Sequence, residues 1–171
     1  MQDADFREAY RAHKDVVYRF ARRMTGSQAS AEDIAQEAFL ALWRDRAAFH
    51  PERGSLRSFL LGVTRNLALQ RLRGMWPQEE LEDDCSVTAP FDIEGIQRAE
   101  IVARAVAALP PLQREALILA EYEGLSLEEI ARATQAELAA VKSRLHRARE
   151  NLRRMLAPLL ATKGSVYGTS R

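Results

Sequence analysis

The chain has 171 residues, 47% of them hydrophobic and 29% charged, which suffices for one ordinary domain or two small ones and argues against disorder throughout. No run approaches the roughly 18 apolar residues of a membrane-spanning helix, and the opening Met1-Gln2-Asp3-Ala4-Asp5 lacks the basic-then-apolar order of a secretory signal, so membrane insertion is not expected and the cytoplasm is. A single cysteine, Cys85, excludes an internal disulfide, and His13, His50 and His146 lie too far apart for a zinc-site pair, so neither metal nor cofactor is expected.

The net charge of +1 hides a sorting along the chain. Residues 1–75 carry 13 basic and 9 acidic side chains, residues 76–100 carry 1 and 8, and residues 101–171 carry 11 and 7. Two basic blocks therefore flank an acidic strip. Apolar residues recur at helical spacing along the chain and period-two alternation is absent, so the expected class is all-α.

The first helix is predicted from about Asp5 to Met24, with Phe6, Ala9, Tyr10, His13, Val16, Val17, Phe20 and Met24 on one stripe and Thr25-Gly26 as its stop. His13 on that stripe reads as a hydrogen-bonded core residue rather than a catalytic one. Ser30-Ala31-Glu32-Asp33 reads as the start of a second helix reaching Arg46. Ile34, Ala38, Ala41 and Leu42 form its inward face, while Leu40 and Trp43 project elsewhere among Asp33, Gln36 and Glu37. An acidic surface with an apolar centre suits docking of a basic helix; a crowded core edged by solvated acids is the alternative.

His50-Pro51-Glu52-Arg53-Gly54 reads as a loop, and Leu56, Phe59, Leu60, Val63 and Leu67 mark a third helix ending near Gly74. Loop and helix combine Arg53, Arg57, Arg65, Arg71 and Arg73 with Phe49, Phe59, Asn66 and Trp76. Cations that follow a backbone, beside amide and aromatic groups for unstacked bases, suit single-stranded DNA. From Pro77 to Gly95 the periodicity fails amid Glu79, Glu80, Glu82, Asp83 and Asp84, which marks a linker serving as tether or as partner contact. Cys85 within it has no neighbouring base or cation to activate it.

Periodicity resumes from about Gln97 to Leu109, and Pro110-Pro111 separates that helix from one over Leu112 to Tyr122 closed by Gly124. Ser126-Leu127-Glu128-Glu129 is a capping box that opens a short helix to Thr134, followed by a turn and a long helix from Leu138 to about Leu156. Short helix, turn and long basic helix have the dimensions of a helix-turn-helix. On the long helix Leu138, Val141, Leu145, Ala148, Leu152 and Met155 form an apolar seam. The opposite face carries Ala139, Ser143, His146 and Arg147, with Lys142 and Arg149 on its shoulder. Small residues near the helix start admit the base edges, and the cations suit phosphates or guanine. Arg144 falls near the seam, where it should touch phosphate or pair with the protein.

Taken in order, these blocks resemble the bacterial RNA polymerase sigma factors of the extracytoplasmic-function (ECF) group of the sigma-70 family. Asp33-Ile34-Ala35-Gln36-Glu37-Ala38-Phe39-Leu40-Ala41-Leu42-Trp43-Arg44 is similar to the polymerase-binding helix of that family. Gly54-Ser55-Leu56-Arg57-Ser58-Phe59-Leu60 with Thr64-Arg65-Asn66-Leu67-Ala68-Leu69 resembles its minus-ten element. Leu109-Pro110-Pro111-Leu112-Gln113-Arg114-Glu115 and the stretch from Val141 to Arg149 resemble its domain for the minus-thirty-five element.

The resemblance implies a non-enzymatic subunit of two small helical domains, over 1–75 and 97–160, joined by an acidic flexible linker over 76–96 and followed by a flexible tail over 161–171. It implies docking of Asp33, Gln36, Glu37 and Leu40, beside Trp43, on core RNA polymerase. Phe49, Arg53, Arg57, Arg65 and Asn66 would hold the melted minus-ten strand, and Ala139, Lys142, Ser143, Arg144, His146, Arg147 and Arg149 would meet the minus-thirty-five duplex. A stress or envelope signal and an anti-sigma partner are further implications. Gln135 and Ala139 stand where relatives often carry glycine, Glu137 where proline is common, and Gln70 where aspartate is frequent, which leaves the promoter sequence open. A stand-alone helix-turn-helix regulator is the competing reading. An enzyme would need a nucleophile and base, a phosphate loop or a metal set, and the sequence offers none.

Overall fold

The computed structural model describes residues 3–75 and 94–164; the acidic segment with Trp76 and Cys85, and the last seven residues, lie outside the described residues. Seven α-helices run in the order α1 (Asp3–Thr25), α2 (Gln28–Arg44), α3 (Leu56–Leu72), α4 (Arg98–Ala108), α5 (Pro111–Leu117), α6 (Leu127–Thr134) and α7 (Leu138–Gly164). A 3₁₀ turn, Pro51–Arg53, precedes α3, and a π-helical turn, Ile118–Tyr122, extends α5. The described residues contain no strand, and no helix among them is long and apolar enough to cross a membrane.

Local chemistry sets the boundaries. Gly26 ends α1 at a φ of 69°, in the left-handed region that costs glycine nothing. The cap of α2 is Ser27, whose side chain accepts from the Ser30 N–H at 3.3 Å, so Ser30 sits inside the helix rather than at its start. Both serines are capping types, and the position directly after Gly26 has the extended backbone a cap requires. Ser55 caps α3, and the Ser126–Glu129 capping box opens α6 with both of its hydrogen bonds formed. Past its expected end at Leu156, α7 continues to Gly164 with Pro158 inside it.

Helices α1, α2 and α3 pack on one another around Val17, Phe20, Met24, Ile34, Leu42, Leu60 and Leu61, all at most 1% exposed. Full burial of each such side chain is worth about 1.5–3 kcal/mol. Tyr10 departs from the expected stripe: it is exposed on the rim, its ring edge-on to Phe39. His13 is half-buried, and burial together with the nearby Arg57 charge holds its imidazole below the usual pKa of 6.5.

In the second half α5 lies against α7, with α4 and α6 flanking. Residues 113–119 are buried all round, including Gln113, Arg114 and Glu115. Arg114 donates to the carbonyls of Ala107 and Leu109 at the end of α4 and to that of Met24 at the end of α1. One guanidinium thus satisfies the orphan acceptors of two helix termini, where the helix dipoles also favour a cation. Burial lowers its pKa to about 10, still well above neutrality. The two halves share one apolar cluster, closed on one side by α4 against α1 and on the other by α6 against α3.

Candidate nucleic-acid and partner interfaces

On α2 the periodicity turns Ile34, Ala38, Phe39 and Leu42 inward. Ala41, expected on that face, is exposed instead, and Phe39 takes the inward place, edge-on to both Phe6 and Tyr10. Leu40 and Trp43 remain 47% and 40% exposed, surrounded by the exposed Asp33, Gln36 and Glu37. Trp43 is held in place: Arg46 lies 3.9 Å over its ring and Phe6 meets it edge-on at 4.8 Å. Asp33 pairs with Arg71 of α3 at 3.4 Å, a contact exposed on both sides. The result is a rigid apolar knob in an acidic field.

The residues expected at the melted strand divide into two groups. Phe49 packs against Phe59 with ring centres 5.7 Å apart, and with His50, Arg53, Ser55 and Ser58 it lines a cleft of about 600 Å³. The far wall of that cleft is α6, through Glu129, Arg132, Ala133 and Gln135. Arg57 and Arg65, by contrast, turn toward the second half of the chain. Arg65 grips Glu115 with both carboxylate oxygens, at 2.6 and 2.9 Å, and Arg57 donates to Glu123 at 2.7 Å. Arg23 stands 3.7 Å from the same Glu123, and Arg65 also donates to the exposed Asn66 at 3.0 Å. The side chains of Glu115 and Glu123 are only 1% and 3% exposed.

The helix-turn-helix is formed by α6 and α7. Gln135 at its turn takes the left-handed conformation, φ 53° and ψ 36°, at the position where the resemblance expects glycine. Along α7, Ala139, Lys142, His146 and Arg149 are exposed, and Ser143 and Arg147 are half-buried. The face is thus presented outward while Val141, Leu145, Ala148 and Met155 enter the core. Arg149 pairs with Glu121 at 3.0 Å. Arg144 is 16% exposed and approaches Glu115 to 4.0 Å, so it turns toward the protein.

Sequence reasoning missed Glu115 and Glu123 as partners, the Arg114 clamp, and the buried Asn151–Gln113 hydrogen bond of 2.7 Å. One signal was available. Gln113-Arg114-Glu115 interrupts an otherwise apolar helix, and three consecutive residues at 100° steps cannot share one face, so in a buried helix polar side chains must point inward. Glu123 had no such mark, because the π turn before it shifts the helical phase: its N–H reaches back five residues to the Ile118 carbonyl at 3.1 Å.

Comparison with known proteins adds to this geometry. Residues 9–77 match the sigma-70 region 2 family and residues 99–152 the sigma-70 region 4 family. The ECF RNA polymerase sigma factor SigW of Bacillus subtilis is 30% identical over 92% of this chain and 91% of its own length. SigE of Mycolicibacterium smegmatis, also an ECF RNA polymerase sigma factor, is 38% identical over 88% of this chain, which spans 61% of that relative. Among solved structures, the sigma factor RpoE of Bartonella quintana, crystallised with the anti-sigma factor NepR, superposes with a TM-score of 0.71 at 25% identity, covering 90% of this chain and 97% of that one. CnrH, solved with the cytosolic domain of CnrY, gives 0.68 at 22% identity over 94% and 90%, a likeness of fold.

Proposed function

Because this chain belongs to the ECF group of RNA polymerase sigma factors, we propose that it acts in the cytoplasm as a non-enzymatic specificity subunit that recruits core RNA polymerase to promoters. Residues 1–75 and 97–160 are its working units, with 76–96 as the acidic connection. Asp33, Gln36, Glu37, Leu40 and Trp43 dock on polymerase, and the observation that carries this reading is the immobilised Trp43 beside Leu40 in an exposed acidic field. A fixed aromatic anchor inside a polar rim is the chemistry of an interface centre.

Phe49, Arg53, Arg57, Arg65 and Asn66 receive the melted minus-ten strand. The outward face of α7, with Ala139, Lys142, Ser143, His146, Arg147 and Arg149, enters the minus-thirty-five major groove, and Arg144 reaches phosphate at its edge. An anti-sigma factor is the expected restraint, supported by the likeness to RpoE in its complex with NepR. A stand-alone regulator would leave the α2 knob without a purpose.

Reconstitution with core polymerase and sequencing of transcript starts tests the reading. A shared pair of upstream motifs is expected, and Asp33→Lys with Glu37→Lys abolishes those transcripts while the far-UV spectrum stays native. Full transcription by the double variant overturns the docking assignment.

A further inference from the structure

The two arginines assigned to the melted strand are held by acids of the same chain. From this we infer an internal lock: in the free protein Glu115 and Glu123 occupy Arg65 and Arg57 in place of DNA phosphates, and the first half cannot hold single-stranded DNA until the halves separate. The inference rests on the assignment of those arginines above.

Three observations carry it. Glu115 and Glu123 lie nearly fully buried against Arg65 and Arg57, in charge-assisted pairs of 2.6 to 2.9 Å. A carboxylate presents the oxygens that a phosphate would, so strand and acid compete for one fork. Next, α6 forms the far wall of the cleft that holds Phe49 and Arg53, so the same closure covers the aromatic end of the site. Finally, Gly62 of α3 lies so close to α6 that a Cβ there would stand 3.2 Å from the Ala133 carbonyl oxygen. Any larger side chain on α3 at that point would hold the helices apart, so close apposition depends on this glycine.

The lock leaves other surfaces free. Leu40 and Trp43 are exposed in the closed arrangement, as are Lys142 and His146 of α7. Polymerase can therefore meet α2 while the arginines are still engaged, and strand binding follows only after opening. The RpoE likeness covers 90% of this chain, so the arrangement of halves seen here without a partner resembles the one that NepR holds in that relative.

The test uses the full chain, with small-angle scattering for its shape and anisotropy of a fluorescein-labelled, mixed-sequence single-stranded 15-mer for binding. Glu123→Gln removes one acid, and Gly62→Leu separates α3 from α6 with both acids intact, so a folding failure of one variant leaves the other. Each is expected to raise the radius of gyration and to tighten oligonucleotide binding at least fivefold, a gain that Arg57→Ala on the Gly62→Leu background removes. An unchanged radius in a folded variant overturns the lock. An expanded chain with unchanged oligonucleotide affinity overturns instead the assignment of the arginines to the strand.

Discussion

Arg114→Met probes the clamp that ties the two halves through their helix ends. The substitution keeps a long side chain but leaves the carbonyls of Met24, Ala107 and Leu109 without their charged donor. Hydrogen bonds to a charged group are worth about 1.5–3 kcal/mol each, which sets the gross loss at roughly 4–9 kcal/mol. Against this stands the cost of burying the guanidinium: a fall from 12.5 to about 10 corresponds to about 3 kcal/mol that the neutral thioether recovers. The net expectation is a loss of about 3 kcal/mol, a large share of the 5–15 kcal/mol that holds a typical domain. Urea unfolding of the full chain measures it. Arg114→Lys, which retains the charge and three donors but not the planar fork, should recover only part of the loss. If Arg114→Met is neutral or stabilising, desolvation outweighs the carbonyl contacts and the clamp is not what joins α1 to α4.

Three further outcomes follow from local chemistry. Gln135→Gly should stabilise the chain by about 0.5 kcal/mol, since relief of the left-handed strain exceeds the added freedom of the unfolded glycine, and the urea midpoint should rise at constant slope. His13, whose folded pKa lies below 6.5, favours the neutral form in the native state; its contribution is complete above that value and is lost as pH falls from 6.5 toward the folded pKa, so unfolding free energy measured between pH 7.5 and 5 should drop less in His13→Gln than in the parent chain. Arg147→Ala should cost about 1–3 kcal/mol of promoter affinity, concentrated on one base pair of the upstream motif; a uniform loss across sequences would assign the residue to phosphate instead.

The class, the helix-turn-helix and the outward face of α7 were legible because each follows from period and capping: the apolar seam at Val141, Leu145, Ala148 and Met155 is buried, and the Ser126–Glu129 box forms as its spacing requires. The start of α2 was misread because Ser27 and Ser30 offer the same chemistry, and only the backbone left by Gly26 decides between them. The pairing of Arg65 with Glu115 spans 50 residues and that of Arg57 with Glu123 spans 66. No helical period reports on contacts at such separations. A basic helix face suits nucleic acid and a buried carboxylate equally, so residue type alone could not distinguish the occupant seen in the structure from the one proposed in function.

That ambiguity has an energetic side. A buried ion pair gains little over separated, hydrated ions, because desolvation consumes most of the Coulomb attraction, whereas apolar surface regains nothing from water when it is exposed. Where the halves meet at Arg57, Arg65, Glu115 and Glu123, separation therefore returns four charges to solvent at modest cost, and to polymerase-held DNA at a gain for two of them. The cores that must persist in either arrangement are apolar: Val17, Phe20 and Leu61 in the first half, Ile118 and Leu119 in the second. Chemistry of this kind divides the chain into parts that stay folded and a seam that can exchange one set of anions for another.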